Sequence, residues 1–368
     1  MARTFISPSK YIQGPGEMDN IGAYAGTLGK SAVVLISAGG RKRTGAQIEE
    51  SFEKADVALS FVTFDGECSK KEISRVLELA KDTCAEVIVG VGGGKIFDTA
   101  KAVAYYLEKP VVIVPTIAAT DAPCSALSVI YTEEGAVEEY LFLRQNPNIV
   151  VMDSAVIAKS PVRLTVSGMG DALATYFEAR ASHKHDGDNF ANGKPTHTAM
   201  ALARLCFDML MSDGYQAVVA LKAGALTESV EKVIEANTLL SGLGFESGGV
   251  AAAHAIHNGF AALPECHHMY HGEKVAIGVL TQLVLENSPR EEFEQVLNFC
   301  VSVGLPVTLA QIGVEDPTPE KILKVAEIAC APTDTAVNMP FAINPQMIAD
   351  AIMTADAFGR AALANANA

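Results

Sequence analysis

Short β-branched and aliphatic runs alternate with amphipathic segments through the first 160 residues. Residues 32–36, 58–64, 87–91 and 111–114 are apolar runs of strand length, while 47–54, 73–81 and 96–106 repeat apolar residues at helical spacing. Parallel strands need a crossover between them, most often a helix, so this alternation predicts βαβ units on a mostly parallel sheet. Ser69, followed three residues later by Glu72, matches a capping box at the start of one of these helices. From about Pro161 the pattern changes to long Ala-, Leu- and Glu-rich segments with few β-branched runs. Residues 168–181, 196–211, 227–243, 249–262, 273–286 and 345–363 carry helical periodicity. The expected organisation is therefore an α/β domain over residues 1–160 and an all-α domain over 161–368. The boundary is a shift of composition, not a linker, and no low-complexity stretch or convincing internal repeat interrupts either half.

Composition narrows the function. With 49% hydrophobic residues in 368 positions, the chain can bury two cores. A net charge of -15, from 28 basic and 43 acidic residues, argues against nucleic acid or an anionic membrane as partner. Seven cysteines are scattered with no C-x-x-C pair, as expected of reduced thiols in a cytoplasmic protein. The first ten residues lack the apolar core of a signal peptide. The most apolar later stretch, 275–285, is short of the roughly 20 residues that a membrane span needs.

Two loops carry candidate nucleotide chemistry. The apolar strand 87–91 runs into Gly92-Gly93-Gly94-Lys95, then Asp98-Thr99-Ala100-Lys101 on a helical pattern. Glycines allow close approach of the backbone, and the free amides of a helix start suit a pyrophosphate, to which Lys95 adds a charged donor. The spacing is neither G-x-G-x-x-G nor the P-loop, and a tight strand-to-helix turn is the plain alternative. The next strand ends in 115–125, where Thr116, Thr120 and Ser125 offer hydroxyls to phosphate or ribose. Asp121 suits a substrate hydroxyl, or equally a turn whose own amides it satisfies.

Five of eight histidines fall between positions 254 and 271: His254, His257, His267, His268 and His271. Such clustering suggests a metal, although spacing alone does not select the ligands. Asp171 stands in a largely apolar helical stretch, where it either meets a cation or complements the dipole of a first helical turn.

Five motifs in order, Gly92-Gly93-Gly94-Lys95 with Asp98, the stretch from Thr116 through Thr120-Asp121-Ala122-Pro123-Cys124-Ser125 to Tyr131, Gly170-Asp171-Ala172-Leu173-Ala174, Gly244-Phe245-Glu246-Ser247-Gly248-Gly249 and His271-Gly272-Glu273-Lys274, resemble the iron-containing alcohol dehydrogenase family. Within it they are most similar to the zinc-dependent polyol dehydrogenases, and the resemblance covers nearly the whole chain. It implies a dehydroquinate synthase-like fold: an NAD-binding α/β domain over 1–160, a helical metal-binding domain over 161–368 and an active site in the cleft between them. It also implies a homo-oligomer, with an octamer as the expected assembly. The implied reaction is zinc-assisted hydride transfer from glycerol, or another vicinal diol, to NAD, giving dihydroxyacetone from glycerol.

Carried over by position, Asp171, His254 and His271 are the expected zinc ligands. Asp121 contacts a substrate hydroxyl, Phe245 lines the substrate site with His254, and Ser37, Gly93, Gly94, Lys95, Asp98, Thr116, Ser125, Leu127 and Tyr131 are the NAD positions. Two departures matter. Iron-dependent relatives carry histidines where this chain has Thr175 and Asn258, which leaves three protein ligands, the pattern of catalytic zinc. Ser37 replaces an aspartate that holds the adenosine ribose and repels a 2′-phosphate, which loosens the preference for NAD over NADP. The alternatives are a related NAD(P)- and metal-dependent enzyme acting on another polyol or polyol phosphate, and a non-catalytic nucleotide- and metal-binding protein. Lys274 is the main basic residue of 245–275, so an uncharged polyol fits better than a phosphate ester.

Overall fold

The computed structural model describes residues 2–133, 135 and 137–366. Ile6–Ser160 form one compact unit and the chain from Pro161 onward forms another. Residues 2–5 pack with the second unit. The Thr4 amide donates to the Lys194 carbonyl at 3.1 Å, the Lys194 amide to Ala2 at 2.9 Å, and the Asn189 side chain to the Thr4 carbonyl at 2.9 Å. The amino-terminal residues thus lie with the helices rather than with the sheet.

In the first unit the elements run β1 (Lys10–Gly14), α1 (Ile21–Gly26), β2 (Ser31–Ser37), α2 (Ala38–Lys54), β3 (Ala58–Phe64), α3 (Lys70–Asp82), β4 (Val87–Gly92), α4 (Gly94–Leu107), β5 (Val111–Pro115), β6 (Leu127–Tyr131), β7 (Val137–Phe142), β8 (Ile149–Asp153) and α5 (Ser154–Ile157). Six strands form one sheet in the order β1-β8-β5-β4-β2-β3, every pair parallel, while β6 and β7 form a separate antiparallel hairpin. β4, β5 and β8 are buried along their whole length, so they read as unbroken apolar runs with no alternation. From β2 the chain moves outward to β3, but from β4 it moves the opposite way to β5. The crevice at the carboxyl ends of β2 and β4 is therefore the topological switch point, where open α/β sheets bind ligands.

The second unit is helical: α6 (Val162–His185), α7 (His197–Lys222), α8 (Glu228–Glu235), α9 (Ser241–Gly248), α10 (Ala252–Ala261), α11 (His271–Leu285), α12 (Arg290–Val303), α13 (Pro319–Ala329) and α14 (Pro345–Ala366). A buried apolar cluster around Ile256, Phe260, Ile277, Ile322 and Ile352 joins α10, α11, α13 and α14.

Several local expectations change. The helix expected over 47–54 starts at Ala38, capped by Ser37, whose hydroxyl accepts from the Gly40 amide at 3.0 Å. α6 begins at Val162, so Asp171 lies in mid-helix and the reading as a first-turn dipole partner falls away. The run expected as one helix over 227–243 is α8 and α9 joined by a π-helical turn, Ala236–Leu240. The box at Ser69 is half formed. Ser69 accepts from the Glu72 amide at 3.2 Å, but the Glu72 carboxylate turns to the Asp65 amide and to Arg75.

Candidate metal centre and nucleotide-binding loops

Two glycines bring the metal-ligand candidates together. A Cβ at Gly272 would lie 1.8 Å from the Ser167 carbonyl oxygen, and one at Gly170 would lie 2.2 Å from the Gly272 carbonyl oxygen. α6 and α11 therefore touch backbone to backbone. Their next residues, Asp171 on α6 and His271 at the start of α11, face each other as a result. His254, in the first turn of α10, completes the set.

His254 Nε2 lies 3.2 Å, and His271 Nε2 3.1 Å, from the same oxygen, Asp171 Oδ1. One ligand atom from each residue lies within 4.8 Å of the other two. Asp171 is inaccessible to solvent, while the two histidines are partly exposed.

A second layer orients the rings. Glu178, two helical turns beyond Asp171 on α6 and wholly buried, accepts from His254 Nδ1 at 2.5 Å and from the backbone amides of Ala251 and His254 at 3.0 Å each. Glu178 holds a proton on Nδ1 of His254, so the neutral ring, as a metal ligand must be, has its lone pair on Nε2, facing Asp171. His271 Nδ1 lies 3.1 Å from His257 Nε2, and His257 Nδ1 lies 3.1 Å from Asn258 Oδ1. Asn258 donates from Nδ2 to the Asp334 carboxylate at 3.0 and 3.3 Å.

Electrostatics follow this geometry. Burial pushes the Asp171 carboxyl up, but the adjacent His271 and His254 rings outweigh it and hold the group well below the usual carboxylate range. Burial pulls His254 down, yet the Glu178 and Asp171 carboxylates on either side raise it well above its ordinary value. Burial, with His271 and Lys274 nearby, holds His257 well below the usual histidine range, so its ring is neutral at pH 7. His267 Nε2 lies 3.2 Å from the Ala261 carbonyl oxygen.

The donor set suits a cation. With both rings neutral and protonated on Nδ1, two imidazole lone pairs and a carboxylate oxygen converge on one point, and a divalent metal with N/O ligands takes the place of the ring protons that otherwise bridge to Asp171. Thr175 and Asn258, at the positions of the two missing histidines, are committed elsewhere. Thr175 Oγ1 shares a 2.8 Å hydrogen bond with Ser241, and the Asn258 amide spans His257 and Asp334.

The nucleotide candidates gather at the carboxyl ends of adjacent strands. In the sheet register Ile36 pairs with Val91 and Gly92 with Pro115, so Ser37, the glycine loop and Thr116 form one edge, and the Thr116 amide donates to the Gly92 carbonyl at 2.9 Å. Gly93 caps α4, whose first amides have no helical acceptor, and a Cβ built at Gly94 meets no atom of the described residues within 4 Å beyond its chain neighbours and its own helix backbone.

Two expected contacts are occupied otherwise. The Lys95 ammonium pairs with Glu67. Asp98 is buried against Lys101 at 2.9 Å and accepts from the Val129 amide at 3.3 Å, so its carboxylate is an internal anchor. Lys101, wholly buried, also donates to the carbonyls of Ala122 and Leu127, tying α4 to the loop that carries Asp121 and Ser125. Asp121 sits at the N-cap of a one-turn helix, Ala122–Cys124, without making the capping hydrogen bond, and is buried. Ser125 donates to the Ala122 carbonyl at 3.1 Å. Leu127 and Tyr131 lie on the same face of β6, opposite Phe142 and Val137 of β7. In the helical unit, Phe245 packs edge-on to Phe190 with ring centres 5.9 Å apart.

Sequence reasoning missed Glu178, Asp334 and Lys101. Glu178 had a signal, an acidic residue seven positions after Asp171 on one helical face. Asp334 had none, since it reaches Asn258 across 76 residues.

Residues 8–154 match the family model described as iron-containing alcohol dehydrogenase. The glycerol dehydrogenase of Citrobacter freundii is 52% identical over 99% of this chain and 100% of its own length. The glycolaldehyde reductase of Halobacterium salinarum is 46% identical over 98% of this chain and 99% of its own. The crystal structure of a probable glycerol dehydrogenase from Sinorhizobium meliloti superposes with a TM-score of 0.93 at 48% identity, covering 98% of this chain and 100% of that one. The sheet topology, the clustered aspartate and histidines and full-length identity near one half have one explanation: this chain belongs to the iron-containing alcohol dehydrogenase family.

Proposed function

We propose that the protein is an NAD-dependent dehydrogenase that oxidises glycerol to dihydroxyacetone, and other vicinal diols likewise, with a zinc ion held by Asp171, His254 and His271. The observation that carries the reading is the convergence of His254 Nε2 and His271 Nε2 on one oxygen of a buried aspartate, at 3.2 and 3.1 Å. Three protein ligands, with Thr175 and Asn258 committed elsewhere, favour zinc over iron. The substrate rests on the full-length likeness to glycerol dehydrogenases.

When bound, zinc supplies the Lewis acid that lowers the pKa of a substrate hydroxyl, and NAD supplies the hydride acceptor. The chain does the rest. Glu178 and His257 keep the ring protons of His254 and His271 on Nδ1. Asp121 accepts from a substrate hydroxyl and orients it. Phe245, backed by Phe190, supplies an apolar wall. The amides at Gly93 and Gly94 hold the pyrophosphate, Thr116 and Ser125 contact phosphate or ribose, and Leu127 and Tyr131 offer a hydrophobic face. Ser37 faces the adenosine ribose, Lys95 adds charge beside the phosphates on exchanging Glu67 for them, and Asp98 acts through the loop it anchors.

A glycolaldehyde-type substrate presents the same pair of adjacent oxygens, so one site serves both directions. We further infer a cytoplasmic homo-oligomer, an octamer as in the implied family assembly. None of its seven cysteines is in a disulfide, in keeping with a reducing compartment. No helix among the described residues is long and apolar enough to cross a membrane.

The test is NAD reduction with glycerol, by protein as purified, after chelation and after zinc is restored. Activity lost to chelator and regained with zinc supports the proposal. Chelator-insensitive turnover overturns the metal assignment, and no reduction with glycerol overturns the substrate.

A further inference from the structure

We propose that Asp334, acting through Asn258 and His257, sets the tautomer of His271 and thereby the zinc affinity of the centre. The inference rests on the metal-binding reading above and extends it to three residues of this chain that do not themselves reach the ligand point.

The argument starts from the outermost group. A carboxylate only accepts hydrogen bonds. Asp334 therefore fixes the Asn258 side chain with its nitrogen outward, at 3.0 and 3.3 Å from the two carboxylate oxygens, and its oxygen inward. An amide oxygen also only accepts, so His257, 3.1 Å away through Nδ1, carries its proton on that atom. The neutral ring then presents a lone pair at Nε2, and His271 Nδ1, 3.1 Å from it, must be the donor. One ring proton remains to His271 and it is spent on this bond. Nε2 is left as a lone pair, 3.1 Å from Asp171 Oδ1. For the neutral rings that a metal on His271 Nε2 requires, each link has one polarity consistent with the link outside it, so a single carboxylate favours the tautomer of His271 that faces the metal with a lone pair.

Glu178 does the same for His254 in one step. The two arms differ in reach. Glu178 stands on α6 with Asp171, whereas Asp334 precedes the short turn Thr335–Asn338, which is pinned to the start of α10. There the Thr335 hydroxyl donates to the Ala251 carbonyl at 2.7 Å and the Asn338 amide to Val250 at 2.9 Å. The carboxylate is thus held in place independently of the metal.

Asp334→Asn is the informative variant. It keeps an oxygen for the Thr335 amide, which the native side chain accepts at 2.7 Å, so the turn retains its cap. Its NH2 then faces Asn258, whose amide turns over, and the reversal runs inward until the His271 proton sits on Nε2. Outer-shell partners of a metal histidine are worth about 10- to 100-fold in metal affinity. Zinc affinity is read by competition with a chromophoric chelator, and the His271 tautomer by 15N spectra of the histidine rings in the metal-free protein.

The expected result is a zinc dissociation constant raised about tenfold or more in Asp334→Asn, an unchanged metal-free melting temperature, and a shift of the His271 proton from Nδ1 to Nε2. In a His257→Phe background, where the relay is cut, adding Asp334→Asn should leave affinity unchanged, because coupled residues are non-additive. Equal affinity in Asp334→Asn and native protein, or the same loss with and without His257, overturns the relay while leaving the metal site standing. Native protein that takes up no zinc, with Asp171→Asn indistinguishable from it, overturns the metal reading and the relay together.

Discussion

Replacing Lys101 by methionine isolates the anchor beneath the nucleotide loops. The Lys101 side chain has no solvent exposure, and its ammonium meets Asp98 at 2.9 Å and the carbonyls of Ala122 and Leu127. Methionine fills the volume of the stem but leaves Asp98 as a buried carboxylate held only by the Val129 amide. Breaking a buried pair from one side costs about 3–5 kcal/mol. At about 2–4 °C per kcal/mol for a unit of this size, the sheet unit should melt about 6–20 °C lower. The cost has a pH signature. Burial already raises the Asp98 carboxyl, and removing Lys101, which lowers it, raises it further. A group raised in the folded state costs nothing below its unfolded pKa and progressively more as pH climbs through its folded one, so the deficit should be larger at pH 8 than at pH 5. The assay is thermal unfolding by circular dichroism at both pH values, with NAD affinity by fluorescence titration, since the same lysine positions the loop bearing Ser125. Adding Asp98→Asn should recover much of the loss. A single variant that melts within about 2 °C of native at pH 8, or a deficit equal at both pH values, would refute the account.

Glu178→Gln keeps one oxygen for the amides of Ala251 and His254 and turns an NH2 toward His254 Nδ1, so chelator competition should show zinc affinity lower by about 10- to 100-fold. Gly272→Ala drives a Cβ into the Ser167 carbonyl; forcing α6 and α11 apart should cost about 1–3 kcal/mol or more and lower zinc uptake, seen by melting and by metal analysis. Iodoacetamide at pH 8 should label exposed Cys84 first and Cys330 more slowly, sparing Cys68 and Cys300, whose thiols burial pushes up to about 12, and Cys266, pushed up to about 11; peptide mass spectrometry reads the order. Ser37→Asp introduces a negative charge at the carboxyl end of β2, and should raise the ratio of kcat/KM for NAD over NADP, measured with glycerol.

The buried parallel strands and the helical half were legible because their patterns are local. β4 and β5 are unbroken apolar runs, and the amphipathic stretch of α3 shows its buried face at Ile73, Val76 and Ala80. What escaped was local signal that favoured something else. Gly39, Gly40 and three successive basic residues hide the first turns of α2, since glycine disfavours a helix by about 1 kcal/mol relative to alanine. The β6–β7 hairpin has an exposed second strand with two adjacent glutamates, which reads as loop. The π-helical turn between α8 and α9 inserts a residue into the ladder without breaking the apolar pattern, so periodicity alone runs the two helices together.

The centre divides along a different line. Asp171 and His271 stand out in the sequence because each sits in a motif and borders one of the glycines that let α6 meet α11, and His254 because it opens a run of five histidines over 254–271. The groups that decide whether those three can ligate are elsewhere. Whether a histidine offers Nε2 depends on what its other nitrogen touches, and here that is Glu178 across 76 residues and His257 across 14. Proton placement is thus a property of the folded network, fixed by two carboxylates that lie outside every motif. Asp98 shows the converse: it sits in the glycine-loop motif, where sequence makes it a ligand contact, and the fold turns it inward to hold Lys101. A motif marks where a backbone must go. Which side chains face the chemistry is settled only when distant elements have packed and each buried donor has found its acceptor.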